Sequence, residues 1–447
     1  MMKAGTQQEA GSEAYTSQFT PYKSPPAPYT LQIACILLVA GLFAAPLAYG
    51  AVQPWAWASL AVLASVLLFL WSVGCVQQGS LRIVWPPLGV PALLFLLLGT
   101  IQLFAHLTLD PIATRESLLK LVTDLIFFFL AGQLLAAGAQ KVLRAFGLAA
   151  VVYAFSLALF GILQFFSSNG LIFWSVAAPG AGIFGPYVNR NHYAGLMEML
   201  IPLAAGYVLS RPRDLPMRSM LGFALMVPVA SLLLSGSRGG FISLLAEVVI
   251  LGAIFLWRAP VAGRRRVAAV GGLGLTAAAL LFFWMDPGQI SRRLETVASI
   301  THSPEVTLGD RLAVSRDSLR LFGHHPFLGT GLGSFELAFP QYQSVPSDLT
   351  WVHAHNDYAE ALAETGLAGG LLILVALALF FRQAFGGLSQ RLERDTGWIE
   401  VGAAVGCCGL LVHSFVDFNF HVPANAAWFA VCLALATCKR KILLTSL

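Results

Sequence analysis

Arginine, histidine, asparagine and aspartate gather in five short runs of an otherwise apolar chain. They are Gly185-Pro-Tyr-Val-Asn-Arg190-Asn191-His192, Ser235-Gly-Ser-Arg238-Gly-Gly240, Gly309-Asp310-Arg311, Trp351-Val-His353-Ala-His355-Asn356-Asp-Tyr358 and His413-Ser-Phe-Val-Asp417-Phe-Asn419-Phe-His421. A guanidinium presents planar donors that match phosphate oxygens two at a time. An imidazole titrates near neutral pH and can take a proton from a sugar hydroxyl. Arg238 is therefore a candidate phosphate ligand and His355 a candidate acid–base group. Arg190, Asn191, His192, His353, Asn356, Asp417, Asn419 and His421 are candidate substrate contacts or orienting groups around them.

Each residue also has a plainer reading. Arg238 lies in a hairpin of a few residues and could snorkel to lipid headgroups. Arg190, between Asn189 and Asn191, could cap a helix. Arg311 could pair locally with Asp310, which contributes little at a surface. His355 could cap the helix that follows it. Glu360 and Glu364 share one helical face with Asn356, and two carboxylates facing lipid would be costly, so that face should point into the bundle. Glu198 and Glu247 could partner the arginines or histidines or pair structurally, and Lys120 and Asp124 should neutralise each other one turn apart. His353, His355, His192, His413 and His421 could be read as a metal site, but their spacing fits no usual zinc pattern. The expectation is no metal and no cofactor.

The elements that must position these groups are helices in a membrane. The chain is 57% hydrophobic and 11% charged, with a mean hydropathy of +0.74, against roughly 25% charged residues in a soluble domain. A span needs about 20 apolar residues. Twelve runs qualify, with cores near 31–51, 55–73, 88–105, 119–137, 143–166, 192–209, 219–235, 239–257, 267–285, 356–381, 398–416 and 423–438. With the N-terminus inside, every cytoplasmic connection is basic, through Arg82, Lys141 and Arg144, Arg211 with Arg213 and Arg218, Arg258 with Arg264 to Arg266, and Arg382 with Arg391 and Arg394. The tail adds Lys439, Arg440 and Lys441. All five polar runs then fall on the opposite, outward side, where arginine runs against this trend. Residues 1–30 read as a disordered cytoplasmic tail, 31–285 as spans one to nine, 286–352 as an outward helical cap, 353–438 as spans ten to twelve and 439–447 as a cytoplasmic tail. The net charge of +5 follows the topology signal, so no nucleic-acid partner is expected. The six cysteines sit in or beside apolar runs and read as small core residues.

His355-Asn356, nine residues, Gly366, two residues and Gly369 resemble the His-(Asn/Ser/Gln)-x9-Gly-x-x-Gly signature of O-antigen ligases at every fixed position. Ser235-Gly-Ser-Arg238-Gly resembles the superfamily's arginine hairpin. Asp310-Arg311 with His325-Pro-Phe-Leu-Gly-Thr-Gly-Leu-Gly333 resembles its periplasmic loop, and His413 to Pro423 its closing run. The resemblance is specific from about residue 180 to 425 and implies an all-α, helical glycosyltransferase of lipid-linked sugars in the bacterial inner membrane, with a periplasmic helical cap. By resemblance, Arg238 and Arg311 hold the pyrophosphate of an undecaprenyl-pyrophosphate-linked glycan, and His355 activates an acceptor hydroxyl of the lipid A core or a glycan. Ligase, polymerase and protein O-glycosyltransferase share that donor. A transporter or flippase of lipid-linked sugars is the alternative of another class, although alternating access usually places sites near the midplane.

Overall fold

The computed structural model describes residues 27–178, 182–211, 215–258, 308–344, 350–438 and 442–446, with Pro260, Arg265 and Gly272 as isolated positions. The expected ninth span at 267–285 apart from Gly272, the whole of 286–307 and 345–349 in the expected cap, and most of the N-terminal tail lie outside the described residues. The chain is an all-α polytopic membrane protein. Among the described residues, seven segments are long and apolar enough to cross a bilayer: Tyr29–Leu47, Pro54–Gln77, Pro111–Ala136, Gln140–Ser167, Pro216–Leu234, Arg238–Arg258 and Asp357–Phe385. Gly89–Phe104, Gly397–His413 and Pro423–Thr437 are shorter apolar helices. Arg190–Leu209, the sixth expected span, is helical throughout but carries Arg190 and Glu198. Eleven of the twelve expected runs thus fall on helices, counted as these seven, three and one. The seventh falls on two, Leu215–Ala224 and Met226–Leu234, with Pro228 just inside the second.

In chain order the longer helices are α1 (Tyr29–Ala44), α2 (Pro54–Gln77), α3 (Gly89–Phe104), α4 (Pro111–Ala131), α5 (Gln140–Ser167), α6 (Arg190–Leu209), α7 (Leu215–Ala224), α8 (Met226–Leu234), α9 (Arg238–Arg258), α10 (Leu308–His324), α11 (Phe335–Ala338), α12 (Asp357–Phe385), α13 (Leu388–Leu392), α14 (Gly397–His413) and α15 (Pro423–Thr437). The centre is the pair α6 and α14, each buried along almost its whole length. Small residues let their backbones meet, as is usual where lipid supplies no hydrophobic drive between helices. A methyl on Gly402 would collide with the Pro202 carbonyl, and one on Gly406 would lie 2.9 Å from the Met199 Cα. Around this pair, Trp428 of α15 stacks with Phe43 (5.4 Å) and Tyr153 (6.0 Å), and its indole N–H donates to the Leu42 carbonyl. Side chains such as Phe69, Val76, Leu371 and Leu374 remain exposed, as a lipid-facing surface requires.

One end of the bundle collects the basic connections. Strand β1 (Ser80–Val84) pairs antiparallel with Ile442–Ser446, so the connection carrying Arg82 and the C-terminal segment share that end. Arg144 pairs with Asp395 at 2.6 Å. Arg391, buried, donates to the carbonyls of Ala436 and Gln383, and Arg394 pairs with Glu400. These arginines close helix ends as well as carrying charge. Lys120 pairs with Glu116 at 2.7 Å one turn back, and its charge also acts on Asp124 one turn on, as expected.

At the other end α12 is broken. Gly366 stands at φ 63°, ψ −161°, a region essentially closed to other residues. The break frees backbone groups, and the loop after α10 satisfies them. Leu367 and Ala368 N–H donate to the carbonyls of Pro326 and Phe327, while Thr330 and Gly331 N–H donate to those of Ala363 and Glu364. A methyl on Gly366 would strike the Phe327 backbone. Gln102, fully buried at the end of α3, pins the joint: its amide nitrogen donates to the carbonyls of Leu328 (2.6 Å) and Glu364 (2.8 Å), and its oxygen accepts from Leu332 N–H (3.1 Å). Gln102→Leu should therefore destabilise the protein by about 1–3 kcal/mol, since it orphans buried backbone groups. Thermal unfolding in detergent measures this; an unchanged midpoint would mean that the joint does not depend on Gln102.

Candidate active site

The five polar runs come together where α6, α12 and α14 meet α10. Three of the runs begin helices and are set by capping. Asn189 caps α6 by accepting from Asn191 N–H, and Ser237 Oγ accepts from Gly240 N–H in the first turn of α9. Asn356 caps α12 by accepting from Tyr358 and Ala359 N–H, both at 3.1 Å. The cap expected of His355 thus belongs to Asn356, which leaves the imidazole available. His355 itself sits at φ 51°, a left-handed conformation uncommon for any residue with a side chain.

Asp417, fully buried after α14, is the point of convergence. Arg311 Nη1 donates to the Val416 carbonyl at 2.6 Å and to Asp417 Oδ2 at 3.4 Å, so Arg311 pairs across the fold and is not confined to its neighbour Asp310. His192 Nε2 and His355 Nδ1 stand 3.7 and 3.8 Å from Asp417 Oδ1, too far for direct hydrogen bonds but close enough to act through space. Burial by itself would raise the Asp417 pKa. The two imidazoles and the Arg311 guanidinium outweigh it and hold the carboxyl well below the usual range. Phe418 then provides a ring surface shared by His192 (4.7 Å), His355 (4.8 Å) and His353 (4.5 Å). Sequence reading missed Phe418; its place between Asp417 and Asn419 was the available signal.

The arginine hairpin joins this centre through backbone. Arg238 is the exposed first residue of α9. A methyl on the next residue, Gly239, would strike His413 Nε2, and His413 Nδ1 lies 2.8 Å from Glu198 Oε1, both buried. The hairpin therefore rests on an ion pair between α6 and α14. Glu198 takes the histidine partner considered from the sequence, whereas the buried Glu247 carboxylate has no hydrogen bond to a described residue. The Arg190 side chain lies over Gly182, with Nη1 beside Gly236 of the hairpin. Asn419 is drawn inward: its Oδ1 accepts from Asn425, which also donates to the His192 carbonyl and accepts from Tyr187.

A second cluster flanks the first. Glu360 Oε1 lies 2.8 Å from His353 Nδ1 and 3.2 Å from His421 Nε2, and Asp357 Oδ1 lies 3.1 Å from His421 Nδ1. Burial lowers the His421 pKa, but Glu360 and Asp357 overcome it and push it up to about 10; for His353 burial prevails and the pKa falls. The face of Glu360 and Glu364 points inward as expected, both residues being buried: Glu360 meets these histidines and Glu364 accepts from Phe335 N–H at 3.0 Å. Among the described residues, His353, Glu360 and His421 form the one His/Cys/Asp/Glu group able to hold a metal, with ligand atoms within 4.8 Å of one another. Among the described residues, the Asn191 side chain makes no hydrogen bond to either cluster; its backbone N–H donates to Asn189.

Because the folded pKa of Asp417 is depressed, its contribution to stability is complete above the ordinary carboxylate pKa of about 4 and is lost as pH falls below it. Thermal unfolding in detergent followed from pH 6 down to pH 3 should show this acid limb, and Asp417→Asn should flatten it while lowering stability at pH 6. An unaltered acid limb in the variant would remove Asp417 from the centre of the charge balance.

No curated protein matches the chain. Residues 221–374 match the family model described as O-Antigen ligase, a segment that holds Arg238, Arg311 and His355 and ends before Asp417. Residues 221–374 are therefore similar to the O-antigen ligase family, within a chain that is a polytopic membrane protein.

Proposed function

We propose that this protein moves a glycan from undecaprenyl pyrophosphate to a sugar hydroxyl of the lipid A core, at the periplasmic face of the bacterial inner membrane and with both termini cytoplasmic. The observation that carries the reading is the convergence of Arg311, His192 and His355 on the buried Asp417. A carboxylate behind an imidazole fixes its orientation and stabilises the imidazolium formed when it takes a proton. With Nδ1 turned toward Asp417, His355 offers Nε2 to the acceptor. The backbone strain at His355 is of the kind that persists at functional sites.

The reaction then balances as one displacement. The acceptor hydroxyl oxygen attacks the anomeric carbon and its proton passes to His355 Nε2. The bond from the anomeric carbon to the pyrophosphate oxygen breaks, and the electron pair leaves with the phosphate. Arg238 and Arg311 hold that developing charge in a site where preorganised cations act strongly. The charge they supply makes the transfer independent of a metal, and a single direct attack inverts the anomeric centre.

Reconstituted protein given an undecaprenyl-pyrophosphate glycan should form product only when a lipid A-core acceptor is present. His355→Ala should lower the rate about 10²–10⁴-fold, and Arg238→Lys at least about tenfold, since the bidentate fork is lost. Elongation from donor alone would make the protein a polymerase, and full activity of Arg238→Lys would remove Arg238 from the phosphate role. Anomeric proton couplings of the product should report the opposite configuration to the donor; retention would exclude the single displacement.

A further inference from the structure

The second cluster contains groups that the transfer does not use. His353 and His421 lie 68 positions apart in sequence, as 421 minus 353, so no spacing motif links them. Folding brings their rings to 4.3 Å, with the Glu360 carboxylate between the facing nitrogens. Two imidazoles and one carboxylate are a common three-ligand set for zinc, which leaves a fourth position open. Bonds of about 2.0–2.1 Å set the ligand atoms of a tetrahedral ion about 3.3 Å apart; here they lie within 4.8 Å, at 2.8 and 3.2 Å for the two histidine–glutamate pairs.

The surroundings carry the other features of a metal site. Asp357 meets the far nitrogen of His421, the carboxylate–histidine arrangement that fixes tautomer and ring orientation at a bound ion. The remaining Glu360 oxygen accepts from Ala354 N–H at 2.7 Å, which fixes the carboxylate. Glu360 is closed off, while the side chains of His353 and His421 are 23% and 30% exposed and give an ion a way in.

We propose that His353 Nδ1, Glu360 Oε1 and His421 Nε2 bind one zinc-class divalent cation, with Asp357 supporting His421. On binding, the ion replaces the proton that His421 Nε2 otherwise shares with Glu360, and that proton is released to solvent. The ion ties the start of α12 to the segment 417–421 and so steadies Phe418, the ring against which His355 rests. This is a clamp beside the reaction centre. Arg238 and Arg311 carry the phosphate charge in the proposed transfer, so the two proposals stand or fall separately.

The test uses full-length protein in detergent, freed of metal by chelation and then titrated with Co²⁺ and Zn²⁺ alone. The expected results are visible Co²⁺ ligand-field bands, one equivalent of metal per chain by elemental analysis, and a metal-dependent rise in thermal midpoint. His353→Ala and His421→Ala should abolish the bands, and Asp357→Asn should weaken affinity about 10–100-fold. His324→Ala, at the end of α10, should leave binding unchanged. No bands in folded wild-type protein would overturn the proposal, as would bands that persist in both histidine variants. His353→Ala, which leaves the Asp357–His421 contact in place, keeps the test valid if His421→Ala fails to fold. Glycan transfer that survives chelation while the thermal midpoint falls supports a clamp, whereas transfer lost on chelation and restored by Zn²⁺ would overturn that role.

Discussion

The whole site depends on how closely α6 and α14 approach. Gly402 and Gly406 allow backbone to meet backbone, and the two helices then bring their polar ends to one level. His192 enters from the start of α6 and Asp417 from just beyond the end of α14. The Glu198–His413 pair lies between the helices one turn deeper, and Gly239 seats the arginine hairpin on it. A larger residue at the contact would separate His192 from Asp417 and tilt the base on which Arg238 stands. Ionisable groups in such a place are costly without partners, and here the partners lie on different helices, so the charges also fix the register between them.

The His-Asn-x9-Gly-x-x-Gly run is as much an architectural rule as a chemical one. Asn356 begins a helix, Gly366 ends its first part, and the interval between them gives the two turns that carry Asp357, Glu360 and Glu364. The glycines of the 325–333 loop belong to the same joint, since Gly329 must lie directly on the Glu364 backbone. Two motifs separated by tens of residues are therefore the two sides of one connection, held by reciprocal backbone hydrogen bonds and by Gln102.

The helices were legible because an apolar run of span length has few other uses, and the polar runs because charge in such a chain needs a reason. The convergence of Arg311, His192 and His355 was not legible. Asp417 read as a substrate contact or an orienting residue, and nothing in its neighbours says that three elements meet there. Asn356 and Asn419 read as substrate contacts, yet one caps a helix and the other is enclosed by Asn425 and Gly195. Asparagine serves both purposes with the same atoms, so residue type does not distinguish them. The pairing of His353 and His421 through Glu360 was hidden for a different reason: it depends on a long-range fold contact, and local spacing carries no trace of it.

The break at Gly366 also sets a depth. Counted from Leu367, the continuous part of α12 runs about 19 residues to Phe385, or about 28 Å at 1.5 Å per residue, close to the roughly 30 Å thickness of a hydrocarbon layer. The two turns that precede it then stand in the headgroup zone, and their carboxylates remain clear of the oily interior. On the proposed reading, a polyprenyl chain can stay dissolved among the acyl tails while its pyrophosphate, already at the water boundary, meets the reactive side chains. Such a substrate reaches the enzyme by lateral diffusion in the leaflet and need not be lifted out of it.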